Sequence, residues 1–313
     1  MRVERPILVT GAAGFIGSHI VKKLIKLSAD VHVVVREKNN LWRLNEIKNK
    51  IVLHEIDLRE KRSVYSLIKK VKPSIVYHLA AYGVQLKDES PSLLFETNVN
   101  STVFLLEAIG RYCSEPKVII AGSCFEYGDV KGKINEKTSF NPANLYGVSK
   151  VAEEMASIII AKKLDIPYII CRPFGVYGPF EASYRIIPHI FLSIINGKPV
   201  KVTEGKQVRD FTYIEDVADA FIKAGFSKIS SQKINICSMI PIKLKTLINR
   251  AVEITKSKIN IQWGAIPYRS EEMWSLVGDN STAKKLIGWE PKTSFDEGLT
   301  KTWEWYKNNR LFF

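Results

Sequence analysis

Short apolar runs alternate with amphipathic segments through the first half of this chain. The runs, apolar on both faces of a strand, lie at residues 7–10, 31–35, 51–56, 74–80, 117–123 and 167–172. Helical spacing of apolar residues between them predicts helices at about 15–27, 63–71, 92–112 and 145–164. Strands covered on both faces are typical of parallel sheets. The pattern therefore predicts an α/β fold of Rossmann type, a doubly wound parallel sheet, followed after Arg172 by a smaller C-terminal lobe.

The composition of the chain argues against several classes of protein. The 313 residues contain no apolar run long enough to cross a bilayer, and the start, MRVERPILVTG, reads as a first strand rather than a signal peptide. Four cysteines without C-x-x-C spacing indicate reduced thiols, a cytoplasmic location and no metal site. The formal charge of +14 comes from lysines scattered over helical faces, which argues against nucleic acid. Such a positive field would still attract a phosphorylated substrate.

The stretch TGAAGFIGSHI places Gly11, Gly14 and Gly17 between the first strand and the first helix. Glycines there allow a tight turn and a close approach of a pyrophosphate to the helix N-terminus. The G-x-x-G-x-x-G spacing alone could belong to an ordinary turn. Its position at the start of an alternating chain favours nucleotide binding.

A second candidate site combines Tyr146 and Lys150, four residues apart on one helix face, with Ser123 at the end of a predicted strand. A pair with this spacing is common by chance, but the carboxyl ends of parallel strands are where ligands collect. Tyrosine, with a pKa of ~10, is a poor acid–base catalyst at neutral pH. A neighbouring ammonium and a nicotinamide cation could lower that pKa, and a shift to ~7 needs about 4 kcal/mol. The serine would hold the substrate oxygen.

Six motifs in order carry a resemblance to a known family. They are TGAAGFIG, HLAA at 78–81, Ser123 with YG at 127–128, YGVSK, CRPFGVYGP and RDFTYIEDVADA. The chain thereby resembles the extended short-chain dehydrogenase/reductases, in particular the nucleotide-sugar epimerase, dehydratase and reductase branch, from about residue 6 to 306. The resemblance implies pyridine-nucleotide chemistry on a nucleotide-diphosphate sugar.

Carried over by position, the resemblance implies three groups of site residues. The catalytic set would be Ser123, Tyr146 and Lys150. The cofactor would contact Gly11, Gly14, Phe15, Ile16, Gly17, Arg36, Arg43, Asp57, Leu58, Leu79, Ala80, Ala81, Asn98, Tyr146, Lys150 and Pro173. The substrate would contact Tyr82, Ser123, Arg209 and Arg269, with both arginines on its diphosphate. A surface ion pair is the alternative for either arginine, and the two readings of Arg269 stay open.

Three departures from the family pattern narrow the chemistry. Members that eliminate water carry an Asp–Glu pair where this chain has Cys124 and Phe125, and decarboxylating members need a glutamate in place of Phe125. An asparagine usual in the R-P-x-N-V-Y-G-P loop is replaced by Gly175, so part of the substrate contact must differ. For Glu126, we favour a surface position over a polar contact in the site.

Arg36 follows the predicted second strand, where the adenosine ribose would lie. A carboxylate at this position selects NAD through the 2′-hydroxyl, whereas arginine accommodates the 2′-phosphate of NADP. With Arg43, and Lys38 or Asn39 nearby, Arg36 favours NADP(H), and NAD(H) stays possible. Because NADPH is the usual reductant, we expect an NADPH-dependent reductase that transfers hydride to C4 of a nucleotide-linked 4-keto-6-deoxyhexose, with Tyr146 as acid. The alternative is a nucleotide-sugar 4-epimerase with tightly bound NAD(P). A non-catalytic NADP sensor or RNA binder would need a broken catalytic set.

The same resemblance predicts the domains and the assembly. Residues 1–172, with about 212–238, would form the NADP-binding Rossmann domain, and residues 173–211 and 239–313 the substrate-binding lobe. Helices at about 92–112 and 145–164 would pair across the two-fold axis of a homodimer. They carry apolar residues beyond what one core face needs, namely Leu93, Leu94, Val103, Phe104, Met155, Ile158 and Ile159.

Overall fold

The computed structural model of the chain describes residues 6–36, 41–83 and 90–310. The strands are β1 Ile7–Thr10, β2 Val31–Val35, β3 Val52–Glu55, β4 Ile75–His78, β5 Lys117–Ala121, β6 Tyr168–Pro173, β7 Gly175–Tyr177, β8 Val200–Lys201, β9 Val208–Tyr213, β10 Gln232–Ile236, β11 Pro241–Lys243, β12 Ile261–Gln262 and β13 Ser275–Leu276. The α-helices are α1 Phe15–Lys26, α2 Lys61–Val71, α3 Pro91–Phe95, α4 Ser101–Tyr112, α5 Leu145–Lys163, α6 Ile186–Ile195, α7 Ile214–Phe226, α8 Leu244–Thr255, α9 Ser281–Ile287 and α10 Phe295–Asn308.

Seven strands form the central sheet of the described chain, in the order β10-β6-β5-β4-β1-β2-β3. Every neighbouring pair in this sheet is parallel. Its central strands are buried on both faces because α1 and α7 cover one side and α2, α4 and α5 the other. The order reverses between β1 and β4, which opens a crevice at their carboxyl ends. The predicted α/β, doubly wound fold is confirmed.

The predicted helix at 92–112 differs from the structure. A π-helical turn, Glu96–Asn100, separates α3 from α4. Such turns insert an extra residue into a helix and are frequent at functional sites. Leu94 was predicted to be surplus to the core, but it is fully buried in α3, so that prediction is wrong for this residue.

The C-terminal part of the chain builds a smaller unit beside the carboxyl ends of the main sheet. Strand β9 pairs with β7, β11 and β13, and β8 pairs with β12. Strand β10, by contrast, returns to the main sheet and pairs with β6. None of the described helices combines the length and apolar character that a bilayer crossing requires.

Candidate active site at the carboxyl ends of the strands

The glycine loop between β1 and α1 forms a cradle without large side chains. Gly11 has a φ of +66°, and a Cβ there would lie 2.5 Å from the carbonyl carbon of Leu79 at the end of β4. The amide of Gly14 donates to the carbonyl of Gly11, and a Cβ on Gly17 would lie 2.2 Å from that same oxygen. The spacing of the three glycines is thus required by packing. The loop leaves the N-terminus of α1 open to a diphosphate, so these residues fit a dinucleotide.

Arg36 and Asp57 lie near each other at the ends of the adjacent strands β2 and β3. Arg36 is exposed. Asp57 accepts hydrogen bonds from the amide and guanidinium of Arg59, which lower the pKa of its carboxyl group, and the charge of Arg36 lowers it further. Leu58 is buried beside them. Arg36 is therefore accessible where the sequence placed the adenosine ribose, whereas Lys38 and Asn39 lie outside the described residues.

Arg43 occupies a different environment from Arg36. It lies in a 3₁₀ helix, Trp42–Lys50, and its guanidinium donates to the carbonyls of Phe180 and Ala13 at 2.9 and 3.3 Å. It also packs on the ring of Trp42, and burial lowers its pKa. Arg43 thus ties the glycine loop to the segment after β7.

The predicted catalytic residues come together between β5 and α5. Ser123 follows β5 by two residues, and Asn144 caps α5 by accepting a hydrogen bond from the amide of Gly147. This cap places Tyr146 and Lys150 in the first two turns of α5. Burial raises the pKa of Tyr146, and the charge of Lys150 and the nearby Ser123 side chain offset this only in part, so the net shift is upward. The structure therefore joins the three residues in one buried group.

Lys150 is held firmly behind the tyrosine. Its ammonium donates to the carbonyl of Ala121 at 2.7 Å and to the carboxylate of Glu153 at 2.5 Å. Burial lowers the pKa of Lys150, but Glu153 outweighs that effect, so the net shift is upward. Lys150 is therefore kept cationic next to Tyr146.

Asn98 connects the π-helical turn to the same site. Its side-chain oxygen accepts from the amide of Tyr82 at 2.8 Å, and its amide nitrogen donates to the Tyr82 carbonyl and to Ser149 on α5. Asn98 thereby fixes the chain after β4. The other sequence-predicted cofactor residues lie at the strand ends that border the crevice or in the first turn of α1: Phe15, Ile16, Leu79, Ala80, Ala81 and Pro173.

The predicted substrate arginines lie in the C-terminal unit. Arg209 on β9 is ion-paired with Glu272 at 3.0 Å, and burial lowers its pKa. Arg269 is exposed between β12 and β13. A Cβ on Gly175 would lie 2.5 Å from the carbonyl oxygen of Asp210, so glycine lets β7 pair closely with β9.

Cys124 and Phe125 follow Ser123 and form an apolar wall. Cys124 is 5% exposed, and burial raises the pKa of its thiol to about 12. The ring of Phe125 packs edge-on against Tyr146. This wall contributes no carboxyl group next to the catalytic candidates.

The buried charges behind this site were not predicted from the sequence. Glu126 was expected at the surface, but it is fully buried and contacts Arg172, so that interpretation is wrong. Glu153 and Glu154 were not singled out, although both follow Lys150 on the inner face of α5. An arginine at the end of the apolar strand PYIICR was the available signal, because a buried cation requires buried counter-charges.

Known proteins match this chain over nearly its whole length. A family model described as GDP-mannose 4,6 dehydratase matches residues 8–302. The UDP-glucuronate 4-epimerase of Thermodesulfobacterium geofontis is 29% identical over 314 residues, covering 96% of each protein.

Two solved structures show the same fold. The UDP-glucose 4-epimerase of Thermotoga maritima, in a crystal structure with UDP-glucose, matches with a TM-score of 0.91 at 28% identity, covering 97% of this chain and 99% of that one. The UDP-glucose 4-epimerase of Thermus thermophilus, in complex with NAD, matches with a TM-score of 0.89 at 26% identity over the same shares. These matches include the glycine loop, β5, α5 and the C-terminal unit.

Proposed function

Because this chain belongs to the extended short-chain dehydrogenase/reductase family of nucleotide-sugar epimerases and dehydratases, we propose that it is a nucleotide-sugar 4-epimerase. The observation that carries the proposal is the buried group of Ser123 and Tyr146 beside Lys150, which Glu153 keeps cationic. Relatives named as 4-epimerases, one of them bound to NAD and another to UDP-glucose, support this reaction.

In the proposed reaction, Tyr146 transfers the proton. Its phenolic oxygen takes the proton of the sugar 4-hydroxyl and later returns it to the opposite epimer. Ser123 holds the same substrate oxygen, and Lys150 stabilises the phenolate electrostatically. A nicotinamide dinucleotide held on the glycine loop supplies the hydride acceptor and donor.

The apolar wall at Cys124 and Phe125 favours simple oxidation and reduction over elimination of water. Elimination needs an acid and a base next to the catalytic hydroxyl. A thiol whose pKa is raised to about 12 is a weak base and a weak acid at neutral pH, and Phe125 has no ionisable group. We therefore assign no dehydratase or decarboxylase activity to this chain.

The nucleotide-diphosphate sugar would span the two parts of the chain. In this proposal residues 1–172, with about 212–238, bind the dinucleotide, and residues 173–211 and 239–313 bind the sugar nucleotide. Arg209 and Arg269 would contact its diphosphate, since a guanidinium fork matches phosphate oxygens. Arg209 would then release the Glu272 carboxylate and bind the diphosphate of the substrate in its place.

Arg36 supports a second candidate, a 4-ketoreductase that uses NADPH. Its exposed guanidinium beside the end of β3 suits a 2′-phosphate better than a free 2′-hydroxyl. A reductase would use the same Ser123 and Tyr146, with Tyr146 acting only as acid.

One assay distinguishes the two candidates. The purified protein is incubated with NAD and UDP-glucose or UDP-glucuronate, and separately with NADPH and nucleotide 4-keto-6-deoxy sugars. Isomer exchange without net change of the nicotinamide absorbance is expected and identifies an epimerase, whereas stoichiometric loss of NADPH identifies a reductase. Absence of both reactions would overturn the assignment to C4 chemistry.

A further inference from the structure

Glu126 is bonded directly to the backbone of the catalytic serine. Its Oε1 accepts the amide hydrogen of Ser123 at 2.7 Å, while the Ser123 hydroxyl accepts from the amide of Phe125 at 3.2 Å. The two bonds together cap a single 3₁₀ turn, Cys124–Glu126. The carboxyl group thus determines where the Ser123 backbone lies relative to Tyr146.

The same carboxyl group shares a single guanidinium with another glutamate. Arg172 donates from Nε and Nη2 to both oxygens of Glu154 at 2.8 and 2.5 Å. Glu126 Oε2 lies 3.0 Å from Arg172 Nε, but it accepts no hydrogen bond from the described residues, because that N–H points to Glu154. All three side chains are at most 2% exposed. One cation therefore faces two carboxyl groups out of contact with water.

The buried charged groups on the surrounding elements also include more carboxyl groups than cations. Helix α5 contributes Lys150, Glu153 and Glu154, β6 contributes Arg172, and the segment after β5 contributes Glu126 and the neutral Tyr127, whose hydroxyl accepts from Arg172. With every carboxyl ionised, this group carries one uncompensated negative charge. Burial, and then repulsion from Glu154, raise the pKa of Glu126 well above its ordinary range.

We propose that Glu126 is a neutral carboxylic acid that positions Ser123 for catalysis, with its carbonyl oxygen accepting from the Ser123 amide and its proton donated to Glu154. The inference deepens the proposed function, on which its kinetic part rests. Protonation balances the buried charges and removes a negative charge that would otherwise raise the pKa of Tyr146. Gly122 makes room for this arrangement, because a Cβ there would lie 2.9 Å from Glu126 Oε1 and 2.8 Å from Cγ of Arg172.

A matched pair of variants separates the hydrogen bond from the charge. Glu126→Gln keeps an oxygen for the Ser123 amide and an N–H for Glu154, whereas Glu126→Met has similar length but offers neither. With UDP-glucose and NAD as probes, kcat of Glu126→Gln should stay within about threefold of the wild type. Glu126→Met should lose about tenfold or more in kcat, the equivalent of one hydrogen bond, with KM and the Kd of NAD nearly unchanged.

The pH profile and the infrared spectrum test the proton itself. The kcat–pH profile of Glu126→Gln should coincide with the wild type, because the proposed native group is already neutral. The difference infrared spectrum, wild type minus Glu126→Gln, should show the C=O stretch of a protonated carboxyl at neutral pH. This measurement needs neither substrate nor turnover, so it remains decisive if the wild type leaves UDP-glucose unchanged and the proposed function fails.

Three results would overturn the inference. An infrared spectrum without that band, or a Glu126→Gln profile displaced to lower pH, would show an ionised Glu126. Full kcat in folded Glu126→Met would show that Ser123 needs no such support. If Glu126→Met does not fold, the Glu126→Gln profile and spectrum still decide.

Discussion

The ammonium of Lys150 donates a 2.5 Å hydrogen bond to Oε2 of Glu153, and the two side chains are only 3% and 1% exposed. Both charges are therefore shielded from water, and each is stabilised mainly by the other. Glu153 keeps Lys150 protonated, and Lys150 in turn partly offsets the effect of burial, which raises the pKa of Glu153. The catalytic helix thus contains a buried ion pair that begins one turn after Tyr146.

Removing one member of this pair should destabilise the protein strongly. Lys150→Met leaves Glu153 unpaired and Glu153→Gln leaves Lys150 unpaired, so each should cost about 3–5 kcal/mol in the free energy of unfolding. The double variant leaves neither charge and should be more stable than the sum of the two losses predicts. Urea unfolding of the four proteins measures this coupling. Strict additivity would show that the two charges do not depend on each other.

Tyr146→Phe should remove turnover while leaving the fold and dinucleotide binding nearly intact. Only the transferable proton is lost, and the ring still packs against Phe125. General acid–base groups contribute about 10²–10⁴-fold, and a loss in that range is expected in kcat. Steady-state kinetics and fluorescence titration of the cofactor provide the two measurements. A loss below tenfold would rule Tyr146 out as the proton donor.

Arg36→Asp should shift cofactor preference from NADP(H) toward NAD(H). The carboxylate repels a 2′-phosphate and accepts a hydrogen bond from a 2′-hydroxyl, so both effects act in one direction. A change of at least tenfold in the ratio of dissociation constants is expected. Arg43→Ala should change this ratio less, because its guanidinium is bonded to the carbonyls of Phe180 and Ala13. A wild type that prefers NADH would refute the assignment of Arg36 and remove support for the reductase.

A homodimer through α4 and α5 is expected in solution. Met155 and Ile159 on α5 are 52% and 63% exposed, an unusual exposure for large apolar side chains on one helix. Ile159→Glu should shift the mass in light scattering from dimer to monomer at micromolar concentration. Ile240→Glu, at a residue that is 54% exposed in the C-terminal unit, is the control and should remain dimeric. A monomeric wild type would contradict the prediction.

Periodicity in the sequence predicted the sheet well because the strands are buried on both faces and the helices between them are amphipathic. The helix boundaries at α1 and α5 agree with the structure to within one residue. The π-helical turn at Glu96–Asn100 was missed, since one inserted residue hardly alters helical periodicity. The turn matters for tertiary contacts, because it contains Asn98, which bonds Tyr82 and Ser149.

Only the parts of the site that lie in short sequence motifs could be predicted. Gly11, Gly14 and Gly17 were identified by spacing, and the structure gives the packing reason for Gly11 and Gly17. The environment of Glu126 depends on Arg172, 46 positions later, and on Glu154, so no local pattern could indicate its burial. A charged residue between Phe125 and Tyr127 reads locally like any turn residue.

The missing Cβ of Gly122 restricts how this sequence can change over evolutionary time. A larger residue at position 122 meets the side chains of both Glu126 and Arg172, so it is compatible only with a different pair of residues there. Replacing Glu126 first, by contrast, leaves Arg172 bonded to Glu154 and relieves one of the two contacts. Position 122 can therefore become variable only after the side chains at both 126 and 172 have changed, because a Cβ there would meet each of them.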